Sequence, residues 1–345
     1  MLLLRSTISL ALGALAIMAP VSSRADAVSD FYKDKKLNLY VGYTPGGGYD
    51  VYARLLARHM NRHLPGNPTM IVQNMPGAGS VRLANWIYSV APKDGTAFGT
   101  VARGVAFDTL LGLPGSQFDA TKFNWIGSMN DEVSVCVGWH TSGFKTFEDT
   151  FKKELVVGGT GGSADTDQFP KVLNGVLGTK MRVVVGYPGG NDINMAMERG
   201  EVMARCGWSW SSVISTQPGW LKDKKVNVLV QLSLAKHVDL PDVPLVMDYA
   251  KTPEDTAILK LVFARQVMGR PFMAPPGVPQ DRVAALRKAF IDTQKDQPFL
   301  DEAKRAMIEI TPVPGERIQE LVKEAYETPK AIIDKVAELL NDKKN

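Results

Sequence analysis

The chain has 345 residues, of which 45% are hydrophobic and 22% charged, with 31 Gly, 21 Pro and 2 Cys. This composition is close to the average of soluble proteins, and it excludes collagen, a disulfide-rich scaffold and a wholly disordered chain. The formal charge of +4 is small for this length, so nucleic acid is not an expected partner. Length alone favours about two domains.

The N-terminus has the layout of a cleaved secretory signal. Arg5 precedes an apolar run at residues 8–18, and small residues follow at Ala25 and Ala27. The run is too short to span a membrane, which takes about 20 residues. We therefore predict a signal peptide at 1–27, cleaved near Ala25 or Ala27, and an exported mature protein. The alternative is an uncleaved anchor.

Beyond the signal, short β-rich runs alternate with longer helical patterns. Strands are predicted at 37–43 and 69–73, and an amphipathic helix between them starts near Asp50. Further strands are predicted near residues 97–101, 124–128, 133–139, 155–159, 181–187, 201–206, 226–232 and 266–273. This alternation is typical of an α/β protein with mostly parallel sheets.

The last 65 or so residues contain only helical patterns. Helices are predicted over 282–293, 299–308 and 315–340, interrupted by Pro298, Pro312 and Pro314. The simplest interpretation is a helical C-terminal cap on a two-domain α/β protein.

Glycine-rich turns follow four of the predicted strands, at 43–50, 74–80, 158–165 and 186–192. Glycine lets the backbone approach a ligand closely, and the start of a helix offers unpaired N–H groups and partial positive charge. Such turns lie at the carboxyl ends of strands, where open α/β sheets bind ligands. Two facing pairs of turns predict a carboxylate cleft in which main-chain N–H groups are the principal donors. The alternative is that these glycines only make tight turns, and that Asp50, Asp165 and Asp192 are helix N-caps.

Several segments resemble one known family. They are Tyr-Thr-Pro-Gly-Gly-Gly-Tyr-Asp-Val-Tyr-Ala-Arg at 43–54, Val-Gln-Asn-Met-Pro-Gly-Ala-Gly-Ser at 72–80 and Ala-Pro-Lys-Asp-Gly-Thr at 91–96, followed by shorter blocks at 144–147, 187–190, 240–244 and 274–279. The chain resembles the periplasmic solute-binding proteins of tripartite tricarboxylate transporters, the Bug type. The resemblance covers nearly all of the mature chain.

The resemblance implies two lobes joined by crossing strands that close on a small organic acid. It implies ligand contacts at Tyr43, Gly46, Gly47, Asp50, Gly77, Ala78, Gly79, Ser80, Gly161, Ser163, Tyr187, Gly189 and Gly190. The same loops add Thr44, Gly162, Asp165 and Asp192 to the candidate set.

Three departures from the family pattern bear on the ligand. Ser80 stands where a second Gly is common, Asp167 where a His is common, and Pro188 where a Lys is common. Loss of a cation and gain of acids disfavour a tricarboxylate. A monocarboxylate, an aromatic acid or a less charged dicarboxylate is expected instead. The candidate aromatic walls are Tyr40, Tyr49, Trp208 and Trp210.

Other signals carry less weight. His59 and His63 have a metal-compatible spacing, but the arginines beside them disfavour a cation, so a solvated helix face is expected and no metal. Cys136 and Cys206 lie in predicted strands, and either a disulfide or two buried free thiols fits.

The loop at 159–164 satisfies the dinucleotide-binding pattern G-x-G-x-x-A, yet the acid that this pattern requires about 20 residues later is absent from the sequence. No nucleophile elbow, Walker A loop or zincin helix occurs, so neither an enzyme nor a cofactor is expected.

These inferences predict a type II periplasmic binding protein fold. The first lobe would comprise 28–128 and 266–345, and the second lobe 129–265. The expected function is capture of a small carboxylate and its delivery to the membrane permease subunits of a transporter. The alternative is a periplasmic receptor that signals.

Overall fold

The computed structural model describes residues 22–341 and contains two α/β lobes. The strands are β1 Lys36–Val41, β2 Thr69–Asn74, β3 Ala97–Thr100, β4 Asn124–Ser128, β5 Ser134–Trp139, β6 Leu155–Gly158, β7 Met181–Val184, β8 Ala204–Ser209, β9 Val226–Leu232, β10 Pro271–Ala274 and β11 Val313–Pro314. The helices are α1 Ser22–Tyr32, α2 Gly48–Met60, α3 Val81–Ser89, α4 Asp149–Lys152, α5 Asp165–Leu177, α6 Gly190–Glu198, α7 Trp210–Thr216, α8 Pro218–Lys222, α9 Pro253–Phe263, α10 Gln280–Thr293, α11 Gln297–Arg305, α12 Gly315–Tyr326 and α13 Lys330–Asn341.

The first lobe is built on a six-stranded sheet with the order β11-β4-β10-β3-β1-β2, and the second on a five-stranded sheet with the order β7-β6-β8-β5-β9. The predicted two-lobe α/β fold class is confirmed. The sheets are mixed rather than mostly parallel, however. β10 pairs antiparallel with β3 and β4, and β5 pairs antiparallel with β8 and β9. These two strands follow the segments that enter from the other lobe, so they run opposite to their neighbours.

The chain passes from the first sheet to the second between β4 and β5 and returns between β9 and β10. The two crossing segments are hydrogen-bonded to each other: Met129 donates to the carbonyl of Arg270, and Gly269 donates to the carbonyl of Asn130. The lobe boundaries predicted from the sequence remain a proposal. The last helix, α13, packs against α5 and α9, which belong with the second sheet.

The first-lobe core forms because apolar side chains alternate along β1 and recur with helical period on α2. Leu37, Leu39 and Val41 are buried from the strand, and Tyr52 and Leu56 are buried from the helix. The second lobe has its own aromatic cluster, in which the ring centroids of Trp220 lie 4.8 Å from Trp139 and 5.9 Å from Trp208.

The C-terminal region differs from its sequence prediction in two places. The predicted helix over 315–340 is two helices, α12 and α13, because Pro329 cannot continue the hydrogen bonding of a helix and disfavours helical geometry in the preceding residue. In addition, residues 313–314 form the short strand β11, which pairs with β4. The prediction of a solvated helix face around His59 is also wrong. This side chain is buried against α11, with its Nε2 2.5 Å from Oε2 of Glu302.

The predicted signal peptide lies largely outside the described residues. Helix α1 contains both predicted cleavage positions and ends in Tyr32, whose hydroxyl donates to the carbonyl of Gly95 at 3.0 Å. Within residues 22–341, no helix combines the length and the apolar character needed to cross a bilayer.

Candidate functional site

A cavity of about 50 Å³ lies between the two lobes. Its walls come from the ends of strands and the starts of helices in both lobes. It is lined by Tyr43, Gly47, Gly48, Tyr49, Ala102, Arg103, Thr160, Ala164, Asp165, Thr166, Gly190, Arg205, Gly207, Trp208, Ser209, Ser212 and Arg270.

Three helices begin at this cavity. Gly48, Asp165 and Gly190 are the first residues of α2, α5 and α6, and all three line the walls. The first backbone N–H groups of a helix have no acceptor within it, and the helix dipole adds partial positive charge there. The three helix starts therefore favour an anion in the cavity.

Arginine side chains dominate the charge of the cavity. Its lining contains three guanidinium groups, from Arg103, Arg205 and Arg270, and one carboxylate, from Asp165. With these groups ionised, the lining carries an excess of two positive charges, of which that of Arg270 is offset by Glu132 outside the lining. This excess also favours an anionic ligand.

Arg103 is compensated by Asp165. The Nε of Arg103 lies 2.9 Å from Oδ2 of Asp165, and the guanidinium also donates to Gln266 and Ser209. Both members of the pair are buried, with 2% and 7% of the side chains exposed. Burial raises the pKa of Asp165, and the neighbouring Arg103 opposes that rise.

Arg270 is held at the crossing segment by a different acid. Its Nη2 lies 3.4 Å from Oε2 of Glu132, and it donates to the hydroxyls of Ser209, Ser211 and Ser212. Because these three serines lie at the end of β8 and the start of α7, Arg270 ties the crossing segment to the second lobe.

Arg205 differs from the other two arginines, because no acid among the described residues pairs with it. Its Nη1 donates to the carbonyl of Gly190 at 3.1 Å and to Oδ1 of Asn194 at 3.0 Å, and the guanidinium lies 4.5 Å from the ring centroid of Trp208. Its Nε is buried without a hydrogen-bond partner, as are the Nε atoms of Arg103 and Arg270. Burial lowers the pKa of Arg205 to about 9. A Cβ at Gly190 would overlap the guanidinium, which would then have to shift.

The two lobes touch directly around the cavity. The backbone N–H of Gly79 donates to the carbonyl of Thr160 at 2.9 Å, and the hydroxyl of Thr44 donates to Oδ2 of Asp192 at 2.9 Å. The Ser163 hydroxyl donates to Asp108. The described conformation is therefore closed.

The sequence-predicted residues fall into three groups. Those lining the cavity are Tyr43, Gly47, Asp165 and Gly190. Those at contacts between the lobes are Thr44, Gly46, Ala78, Gly79, Gly161, Ser163, Gly189 and Asp192. Those elsewhere are Asp50, Ser80, Gly77, Gly162 and Tyr187, of which the last three line surface grooves beside the cavity.

Asp50 and Ser80 have local structural partners. Asp50 accepts hydrogen bonds from the backbone of Gly46, from Arg54 and from Asn74, and so fixes the first glycine loop. The Ser80 hydroxyl accepts from the backbone of Ala102 at 2.6 Å. Of the candidate aromatic walls, Tyr49 and Trp208 line the cavity, whereas Tyr40 packs on Trp86 and Trp210 lies in the second-lobe core.

Of the acids in the candidate loops, Asp165 lines the cavity, whereas Asp50, Asp167 and Asp192 do not. Asp50 pairs with Arg54, Asp167 accepts from the backbone of Gly161, and Asp192 accepts from Thr44. Within the described part of the chain, no cluster of His, Cys, Asp and Glu could hold a metal.

Sequence reasoning missed the three arginines, because it attributed anion binding largely to main-chain donors. The sequence contains a signal for two of these arginines. Arg205 lies inside a strand, and Arg270 stands in the apolar stretch 261–274. An arginine in a segment that will be buried needs a counter-charge or a ligand.

Comparisons with known proteins agree with this architecture. No family model matches the chain. A UPF0065 protein in the gbd 5' region of Cupriavidus necator is 37% identical over 121 residues, 35% of this chain and 32% of that protein. A UPF0065 protein in the TAR-I ttuE-ttuC' intergenic region of Agrobacterium vitis is 27% identical over 226 residues, 63% and 62% of the two chains. The chain thus matches less than two thirds of the length of either relative.

Solved structures extend the likeness over most of the chain. The periplasmic binding protein BugD has a TM-score of 0.69 at 20% identity and covers 89% of this chain and 97% of its own. MatC from Rhodopseudomonas palustris, solved with bound malate, has a TM-score of 0.68 at 18% identity, with 88% and 99% covered. The R. palustris protein Rpa4515, solved with adipate, has a TM-score of 0.69 at 15% identity, with 88% and 97% covered.

The resemblance drawn from the sequence motifs is therefore confirmed: the chain has the fold of the Bug-type and TctC-type periplasmic solute-binding proteins.

Proposed function

We propose that the chain is a periplasmic solute-binding receptor that captures a small organic carboxylate between its lobes and delivers it to a tripartite tricarboxylate-type membrane transporter. The observation that best supports this proposal is the cavity between the lobes, whose lining contains three guanidinium groups and one carboxylate. Three helix starts at the same cavity add to its preference for an anion. BugD, MatC with malate and Rpa4515 with adipate support the same class of function.

Capture works through closure. Contacts across the cleft, such as Gly79 with Thr160 and Thr44 with Asp192, form only when the lobes meet. A ligand that contacts both lobes shifts the population toward the closed form in proportion to its greater affinity for that form. The permease would then recognise the closed receptor. No bond is made or broken in this cycle.

Ligand screening tests the proposal. A binder stabilises the folded state, so the correct acid should raise Tm in a concentration-dependent manner. We expect a shift with at least one small organic acid and none with neutral or cationic compounds of the same size. If no organic acid raises Tm or gives a calorimetric signal, the receptor function is wrong.

Delivery to a transporter needs a separate measurement. Deletion of the gene should abolish uptake of the bound acid, and the closed, loaded receptor should associate with the membrane subunits more tightly than the empty one. The predicted export is tested by recovering the protein from the periplasmic fraction and reading its N-terminus, expected after Ala25 or Ala27.

A further inference from the structure

One positive charge in the cavity lacks a counter-charge. Arg103 has Asp165 at 2.9 Å, and Arg270 has Glu132 at 3.4 Å. Arg205 forms no ion pair with any residue among 22–341. Charges withdrawn from water in proteins are ordinarily paired, because an unpaired one is costly. Arg205 is partly buried and has no acid beside it, so an anionic ligand would supply the counter-charge that the described residues do not.

The hydrogen bonds of Arg205 indicate which group of a ligand it can bind. Nη1 is occupied by the carbonyl of Gly190 and by Asn194. The edge formed by Nε and Nη2 makes no hydrogen bond within the described residues, and its Nε is buried. Two parallel N–H groups on one guanidinium edge match the two oxygens of a carboxylate.

The size of the cavity limits the size of the group to which that carboxylate is attached. About 50 Å³ is room for roughly four water-sized groups at 10–15 Å³ each. The rings of Tyr43, Tyr49 and Trp208 supply apolar surface for a short carbon chain. A second carboxylate on the ligand would have no unpaired guanidinium, because Arg103 and Arg270 are already paired with acids.

We propose that Arg205 is the specificity-determining residue of the cleft, and that it selects a compact monocarboxylate by pairing its free edge with the ligand's single carboxylate. This inference rests on the proposed function and narrows its substrate class. It also replaces recognition by main-chain donors with recognition by one side-chain cation, supported by the helix starts.

Calorimetric titration of matched acids tests the inference. Propionate and malonate have the same number of carbons, as do butyrate and succinate, and each pair differs by one carboxylate. In protein freed of co-purified ligand by unfolding and refolding, we expect the monocarboxylate of each pair to bind at least about tenfold more tightly, since the second carboxylate would be buried unpaired.

Variants assign the effect to Arg205. Arg205→Gln should weaken monocarboxylate binding about 100-fold, and Arg205→Lys should give an intermediate loss because one ammonium cannot reproduce the paired edge. The matched control is Arg182→Gln, whose guanidinium is exposed and paired with Glu154, and which should bind as the wild type does. Without ligand, Arg205→Gln should keep or raise Tm, since it removes a partly buried charge that has no acid beside it.

The outcomes are distinguishable. Tighter binding of the dicarboxylates, or unchanged affinity in Arg205→Gln, overturns the inference and leaves the receptor function standing. Failure of every organic acid to bind the wild type overturns both. If Arg205→Gln does not fold, Arg205→Lys decides, and wild-type affinity in that variant overturns the inference.

Discussion

Arg103 of the first lobe and Asp165 of the second form a buried ion pair across the cleft, with 2.9 Å between Nε and Oδ2. The pair lies in the cavity wall, so the same contact that joins the lobes also offsets one positive charge of the cavity. Under the proposed function, lobe closure and the charge that a ligand meets would therefore be coupled through Asp165.

Neutralising this acid should destabilise the closed protein. Asp165→Asn leaves Arg103 buried without a carboxylate, and we expect the free energy of unfolding to fall by about 3 kcal/mol. Urea denaturation measures the change. The control is Glu154→Gln, which removes an exposed partner of Arg182 and should cost less than about 1 kcal/mol. Equal losses in the two variants would contradict the assignment.

Two adjacent glycines should differ sharply in their effect on closure. A Cβ on Gly161 would lie under 3.0 Å from backbone atoms of Ala78 and Gly79, and Gly161 has a φ of +134°. Gly161→Ala should therefore hold the lobes apart and abolish high-affinity binding. Small-angle X-ray scattering should show no ligand-induced decrease in radius of gyration.

Gly162→Ala is the matched control for that experiment. A Cβ on Gly162 has nothing within 4 Å, and its backbone is not left-handed. It should close and bind as the wild type does. Circular dichroism should show the native helix content in both variants. Normal closure in Gly161→Ala would contradict the role assigned to this contact.

The alternation of strands and helices was predictable, because β1 and α2 carry apolar side chains at the periods of a strand and a helix. The glycine loops lie at the cavity and at the contacts between the lobes, and their role in binding stays a prediction. The antiparallel strands β5 and β10 were not predictable, since their direction depends on which lobe the preceding segment comes from.

The arginines of the site were harder to predict than its glycines. A glycine cluster at a strand end is a local signal with a local cause. Arg103, Arg205 and Arg270 are separated by many residues and meet only in the closed fold. A single arginine in a sequence resembles a surface residue, and only the tertiary structure shows which of the three has no acid beside it.

Asp108 should make stability depend on pH. Burial raises its pKa to about 6, while hydrogen bonds from Ser163 and Ser116 oppose the rise. The folded state then binds a proton more tightly than the unfolded chain, whose value is 3.8. The stability contributed by protonation is fully present below about pH 4 and is lost as pH rises to about 6. The shift corresponds to about 3 kcal/mol.

Asp108→Asn isolates this effect. Burial also raises the pKa of Asp165 and Asp167, and these groups remain in both proteins. The difference in unfolding free energy between variant and wild type should therefore grow between about pH 4 and 6 and favour the variant at pH 7. Chemical denaturation across that range measures it. A difference independent of pH would show that Asp108 titrates normally.

Cys136 and Cys206 lie in the adjacent strands β5 and β8 and are joined as a disulfide in the described structure. We expect the exported protein to resist alkylation until it is reduced, with an intact mass lower than that of the dithiol by two hydrogen atoms. Closing a loop with a sequence separation of 70 should stabilise the fold by about 4 kcal/mol in the chain-entropy model, and reductant should lower Tm accordingly. The Cys136→Ser, Cys206→Ser double variant serves as control and should not respond to reductant. Two alkylatable thiols in native, unreduced protein would rule the bond out.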